Sequence, residues 1–142
     1  MKILEKALSQ YGVKEVMGIK NNPQILKYFK SMGLDSQKMN DETAWCSAFA
    51  NWVAKESGFE YSGQLTARSW LKIGESTPNP VQGDIVVLWR ESPESWKGHV
   101  GFYVRETKRY VYIIGGNQKD QVNIKAYPKT RILDYRKLKT NG

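Results

Sequence analysis

The chain has 142 residues and a formal net charge of +8 at pH 7, with 40% hydrophobic and 25% charged residues. These values are ordinary for one soluble globular domain, and no apolar run approaches the roughly 20 residues that span a bilayer. The chain has one cysteine and one histidine, which excludes an internal disulfide and a structural zinc site.

The first half of the chain has helical periodicity. The predicted helices cover residues 3–12, 22–33, about 43–57 and 66–74. Asn22 is a typical N-cap, Pro23 suits the first helical position, and Gly33 is a typical stop signal.

After residue 80 the pattern changes to short segments rich in β-branched and aromatic residues. Strands are predicted at 84–90, 99–105, 109–115 and 122–127, with a fifth candidate at 131–137. Short polar connections favour an antiparallel sheet or a small half-barrel. The sequence therefore predicts one α+β domain over 1–142, with a helical part at about 1–76 packed on a sheet part at about 80–138.

The positive charge is concentrated in the second half, where residues 81–142 carry +6 and residues 1–80 carry +2. Such a balance indicates an anionic partner, namely nucleic acid, anionic lipid or an anionic wall polymer, or else a charge that serves only solubility. No nucleic-acid-binding motif is present, so specific nucleic-acid binding is not expected.

The N-terminal segment does not resemble a classical signal peptide, because Glu5 and Lys6 interrupt its apolar stretch. We therefore expect a protein that is made in the cytoplasm and that leaves it, if at all, by lysis or a non-classical route.

Cys46 is predicted to lie in the first turn of the third helix. A helix start stabilises an anion, which lowers a thiol pKa and favours the nucleophilic thiolate. The alternative is a structural role, since free cysteines are among the most buried residues.

His99 is the only histidine and therefore the only histidine base available to that thiol. It begins a predicted strand, and Gly101 lies beside it on the same face, where the missing side chain leaves room for substrate. A third polar group usually orients such an imidazole. The end of the next strand offers Asn117 and Gln118, with Asp120 less suited, and Asn117 is preferred as the first polar residue after two glycines.

Five segments together resemble a known family: "TAWCSAFANWV", "ARSWLKIG", "QGDIVVLWR", "GHVGFYV" and "GGNQ". In this order they resemble NlpC-type papain-like peptidoglycan hydrolases, in the compact bacterial and phage branch close to CHAP amidohydrolase/peptidases. The resemblance implies a papain-like fold with Cys46 as nucleophile, His99 as general base and acid, and Asn117 as the orienting residue. The glutamate that many CHAP relatives carry near the third position has no counterpart, because Gly115 and Gly116 precede Asn117.

The resemblance also implies cleavage of an amide in wall peptide, as an endopeptidase or an amidase, without metal or organic cofactor. The Cys46 N–H is the expected oxyanion donor, with Asn40 as a candidate second donor. The candidate groove residues are Trp45, Ser47, Trp96 and Gly101.

Two other functions remain open: a non-catalytic basic module that binds cell wall or nucleic acid, and a papain-like transferase or deamidating toxin. The expected setting is a monomeric phage endolysin, a tail lysin or an antibacterial effector with an immunity protein. The sequence does not choose among these settings.

Overall fold

The computed structural model describes residues 2–14, 22–33 and 45–141. The α-helices are α1 (Lys2–Leu8), α2 (Pro23–Lys30) and α3 (Cys46–Glu56), and two 3-10 helices cover Ala67–Lys72 and Lys129–Arg131. The strands are β1 (Glu75–Ser76), β2 (Ile85–Trp89), β3 (Gly98–Glu106), β4 (Tyr110–Gly115), β5 (Asn123–Pro128) and β6 (Ile132–Lys137). The α+β class predicted from the sequence is confirmed.

Helix α2 begins as its sequence predicts. The Asn22 side-chain oxygen accepts hydrogen bonds from the backbone N–H groups of Gln24 and Ile25, at 2.8 and 3.4 Å, and Pro23 opens the helix. Gly33 follows the helix with φ at +77°, the left-handed conformation that glycine adopts without steric cost.

The six strands form one antiparallel sheet in the order β1-β6-β2-β3-β4-β5. Strands β2 to β5 are consecutive neighbours, as their short connections predict. The C-terminal strand β6 returns to the other side of β2, where Ile85 pairs with Arg136. The two-residue strand β1 was not predicted, because two exposed residues carry no periodic signal.

The sheet must curl, because a three-residue connection joins β5 to β6. Four strand spacings separate these strands, about 19 Å in a flat sheet, whereas four residues from Pro128 to Ile132 reach at most about 14 Å. The connection crosses the end of β2, where the Trp89 indole donates to the Thr130 carbonyl at 3.1 Å.

Two buried clusters lie against the sheet. The larger one joins the helices to the strand residues that face them, and α3 is buried along Cys46–Ala54. The second contains strand residues alone, namely Val86, Leu88, Tyr103, Val111, Ile113 and Tyr127. Strand residues can cover one another in this way because the sheet curls. His99 pairs with Leu88 and therefore shares this second face.

The predicted helix at 66–74 is a 3-10 helix over Ala67–Lys72. Its six residues suit the tighter turn, since 3-10 segments are short. None of the helices described in residues 2–14, 22–33 and 45–141 is long and apolar enough to cross a membrane.

Candidate active site

Cys46 and His99 line one pocket, with a volume of about 420 Å³. Cys46 was predicted in the first turn of the helix and is the first residue of α3, and His99 is the second residue of β3. The backbone N–H of Val100, the residue after His99, faces the Cys46 sulfur. Both side chains are nearly inaccessible, with 2% of Cys46 and 7% of His99 exposed. The other lining residues are Arg90, Asn117, Gln118, Lys119, Asp120, Lys125, Tyr127 and Arg131.

Gln118 is the hydrogen-bond partner of the imidazole. Its Oε1 lies 2.9 Å from His99 Nε2, and the Tyr127 hydroxyl donates to the same oxygen at 3.2 Å. The Tyr127 ring also packs against the imidazole, with ring centroids 5.3 Å apart. Two side chains, Gln118 and Tyr127, therefore fix the plane of the imidazole and the hydrogen bond of its Nε2.

The contacts of Gln118 fix which ring nitrogen of His99 carries the proton. Gln118 Nε2 donates to the carbonyl and the side-chain oxygen of Asn123, at 2.8 and 2.9 Å. A flipped amide would place two oxygens against each other, so Oε1 is the atom that faces the imidazole. Since Oε1 only accepts, His99 Nε2 donates, and in the neutral ring Nδ1 is left unprotonated and able to act as a base.

The preference for Asn117 as the imidazole partner is wrong in geometry. Asn117 lines the pocket, but among the described residues the side chain that accepts the hydrogen bond from His99 is that of Gln118. Asn117 has φ at +60°, as do Lys119 and Asp120 within a few degrees. These left-handed residues turn the chain so that Gln118, at 1% exposure, is the buried residue of the loop.

Gly115 and Gly116 allow the loop to approach the site closely. A Cβ on Gly115 would lie 2.9 Å from Gln118 Oε1, and a Cβ on Gly116 would lie 2.8 Å from Phe49 Cβ and from the Trp45 ring. Both distances are too short for ordinary contact. The glycine pair thus lets the end of β4 pack against α3, where Cys46 begins the helix.

Burial determines the ionisation of the thiol. The pKa of Cys46 is raised, mainly by desolvation, although the backbone N–H groups of Val100, Ser47 and Cys46 and the Arg90 guanidinium act the other way. The expected net lowering by the helix start is therefore wrong for the resting protein, because burial outweighs it.

Burial also lowers the pKa of His99, to about 4, against the opposing effect of the Gln118 hydrogen bond. The positive charges of Arg90, Arg131 and Lys125 lower it further. At neutral pH the resting site therefore contains a thiol and a neutral imidazole, not a preformed ion pair.

A neutral hydrogen-bond network lies behind Cys46. Ser47 is fully buried; its hydroxyl donates to the Gln64 carbonyl at 2.6 Å and accepts from the Trp70 indole at 2.9 Å. Asn51, 1% exposed, donates to the Ser47 and Gln64 carbonyls and accepts from the Gly63 N–H. Ser47 is therefore a structural residue that positions α3 and not a groove residue.

Two other predicted groove residues also belong to the core. Trp45 is fully buried and stacks on Tyr28, with ring centroids 6.3 Å apart. The space beside Gly101 is filled, because a Cβ there would lie 2.8 Å from Ile113 Cδ1. Neither residue borders the pocket that Cys46 and His99 line.

Trp96 is 71% exposed, in the loop that precedes His99, and its groove role stays a prediction. Sequence reasoning missed Arg68, which holds this loop by donating to the carbonyls of Lys97, Pro93 and Ser92. Asn40, the candidate second oxyanion donor, lies outside the described residues. In the described part of the chain, no group of three or more His, Cys, Asp or Glu side chains is placed to hold a metal ion.

Comparison with known proteins gives one family. The model of the CHAP domain matches residues 38–117, which is 80 of the 142 residues and includes Cys46 and His99. The match ends one residue before Gln118. No curated protein sequence matches the chain significantly.

Proposed function

Because the chain belongs to the CHAP domain family, whose members typically hydrolyse peptidoglycan as amidases or peptidases, we propose that it cleaves an amide of cell-wall peptide by a thiol mechanism. The observation that carries this proposal is the pocket that Cys46, His99 and Gln118 share. The proposed third member is Gln118 in place of Asn117. We further propose that the curled sheet and α3 correspond to the papain-like arrangement of nucleophile helix and histidine strand.

In the first step, the Cys46 sulfur attacks the amide carbonyl while its proton passes to His99 Nδ1. The transfer accompanies the attack, because the resting pair is neutral and the pKa of the buried thiol is raised. Gln118 Oε1 holds the Nε2 proton and thereby stabilises the imidazolium that forms. The imidazolium then gives its proton to the leaving amine, and a thioester remains on Cys46.

In the second step, His99 takes a proton from water while the water oxygen attacks the thioester. The C–S bond then breaks, the acid leaves, and the imidazolium returns the proton to the Cys46 sulfur. Both steps pass through an oxyanion. The Cys46 N–H, at the unpaired start of α3, is the donor that we propose for it. Because this donor is a backbone N–H group, a substitution of the Cys46 side chain does not remove it.

Digestion of purified peptidoglycan tests the proposal, with products read by mass spectrometry. We expect the wild type to release new amine and carboxyl ends and Cys46→Ala to release them at least about a thousandfold more slowly. The identity of the new ends separates an amidase from an endopeptidase. Lys108→Gln, in the turn at the far end of the β3–β4 hairpin, is the matched control and should cleave like the wild type.

Cleavage by folded Cys46→Ala protein near the wild-type rate would refute the thiol mechanism. Absence of cleavage by the wild type on several wall chemistries would refute the hydrolase function. Retained circular dichroism of the variant separates a chemical loss from an unfolded protein.

A further inference from the structure

Among the described residues, four cationic side chains and one acidic side chain, Asp120, line the pocket of Cys46 and His99. The cations are Arg90, Lys119, Lys125 and Arg131. They come from four places: the end of β2, the β4–β5 connection, β5, and the 3-10 helix before β6. The curl of the sheet thus gathers a local charge of +3 around the thiol.

Among the described residues, no acidic side chain forms an ion pair with these cations. The ion pairs among the described residues are Lys97–Glu91, Lys129–Glu106, Arg136–Asp134, Lys137–Asp84 and Lys139–Glu75. Within the described part of the chain, none of them includes a pocket cation or Asp120. On the sheet, Arg136 and Lys137 of β6 are paired with acidic side chains, whereas Arg105 of β3 lies over the Tyr112 ring, 3.8 Å from its centroid.

Two of the cations are held in place by neutral groups. Arg131 donates from Nε and Nη2 to the Trp89 carbonyl, both at 3.1 Å, and its guanidinium lies 5.3 Å from the centroid of the Tyr127 ring. Lys125 Nζ lies 5.2 Å from the same centroid. Aromatic and carbonyl contacts fix these side chains without cancelling their charge.

We propose that Arg90, Lys125 and Arg131 form a subsite for a carboxylate that the substrate carries close to the scissile amide. This proposal rests on the function proposed above, since wall peptides carry free carboxylates. The carboxylate supplies a partner for cations that no described acidic side chain pairs with, and a guanidinium binds a carboxylate through paired hydrogen bonds. The same peptide with a carboxamide in that position makes no such ion pair.

The carboxylate also acts on the catalytic pair. Arg90, Lys125 and Arg131 are the cations whose charge lowers the pKa of His99. A carboxylate among them offsets that charge, so the imidazole becomes a stronger base when the charged substrate binds. Substrate charge thereby contributes to rate as well as to affinity.

The test measures binding to the Cys46→Ala protein by titration calorimetry at low ionic strength. The ligands are a synthetic wall stem peptide with free carboxylates and the same peptide with those groups as carboxamides. We expect the charged peptide to bind at least about fivefold more tightly, and added salt to reduce the difference. Lys125→Gln and Arg90→Gln should each reduce this preference about two- to fivefold, whereas Lys108→Gln should leave it unchanged.

Equal affinity for the two peptides, or no binding of either, would overturn the subsite. The subsite would also be overturned if Lys125→Gln and Arg90→Gln weakened the binding of both peptides by the same factor. Tighter binding of glycerol phosphate than of the charged peptide would assign the cations to a phosphate polymer and overturn the carboxylate proposal. Charge-selective binding without any wall cleavage by the wild type would refute the hydrolase function and leave the subsite standing.

Discussion

The polar groups on the two sides of Cys46 differ in charge and in hydrogen bonding. Behind the helix start, Ser47, Asn51 and Trp70 form a buried neutral network that contacts the loop before the first 3-10 helix. In front, the pocket holds a neutral thiol and imidazole, surrounded by cations that no described acidic group pairs with.

This difference separates the residues that stabilise the fold from the residues that act in the reaction. A satisfied neutral network costs little to bury and fixes the position of the helix, so its loss should lower the free energy of unfolding. Unpaired cations beside a buried imidazole oppose its protonation and do not stabilise the fold. Substitutions behind Cys46 should therefore reduce stability, and substitutions in front of it should change activity or its dependence on pH.

The largest expected effect is that of pH on stability. The pKa of His99 is about 4 in the folded protein and about 6.5 when unfolded, so the unfolded chain binds the proton first. The full stability is present above pH 6.5, and we expect about 3 kcal/mol to be lost as the pH falls to 4. Urea titrations from pH 7 to 4 measure this loss in the free energy of unfolding. A His99→Gln variant, which lacks the only histidine, should lose less stability than the wild type between pH 6.5 and 5. If the free energy of unfolding depended on pH in the same way in the wild type and in His99→Gln, the prediction would be contradicted.

Asn51→Ala should break the network behind Cys46. It leaves the Gly63 N–H and the Gln64 carbonyl without their Asn51 partner, and we expect the free energy of unfolding to fall by about 2 kcal/mol. Thermal or urea unfolding measures the loss, with exposed Asn79→Ala as the control. The rate per folded molecule should stay within about twofold, and a large loss of rate at unchanged stability would reverse the roles of the two sides.

Gly116→Ala tests the junction of the two sides. The added methyl would meet Phe49 Cβ and the Trp45 ring at 2.8 Å, and we expect about 1 to 2 kcal/mol of destabilisation from overpacking. Because the loop must move away from α3, activity should fall as well. An unchanged melting temperature with full activity would show that the loop tolerates the displacement.

Gln118→Ala should leave the fold intact and lower kcat about tenfold, because the imidazole loses the acceptor that fixes its tautomer. Asn117→Ala, one residue earlier, should change kcat less than about twofold. Gln118→Glu keeps an oxygen toward Nε2 and adds negative charge, so the acidic limb of the pH–rate profile should move to higher pH. A greater loss of kcat in Asn117→Ala than in Gln118→Ala would restore Asn117 as the orienting residue.

The sequence predicts the elements that local chemistry determines. Asn22 and Pro23 define the start of the second helix through capping, and Gly33 lies three residues beyond its end at Lys30. The β-branched runs define β2 to β6 within one or two residues. Cys46 at the start of α3 follows from the same local signals. These signals depend on neighbouring residues, which the sequence displays directly.

The details of the site depend on contacts between distant residues, which the sequence does not display. Three left-handed residues turn Gln118 inward, whereas the sequence favoured Asn117 as the first polar residue after the two glycines. The glycine pair was a signal that could have been used further, because adjacent glycines indicate close backbone approach. The burial of Trp45 against Tyr28 and the filling of the space at Gly101 by Ile113 depend on packing across the domain.

The position of β6 has a consequence for the synthesis of the chain. Strand β2 can pair with β3 soon after it is synthesised. Its other edge stays unpaired until β6 is available, because Ile85 pairs with Arg136, 51 positions later in the chain. Until residues 132–137 leave the ribosome, a strand with four fully buried side chains keeps an open edge that can pair with another chain. Ending the chain before residue 132 would therefore leave this edge of β2 unpaired and expose the middle of the sheet.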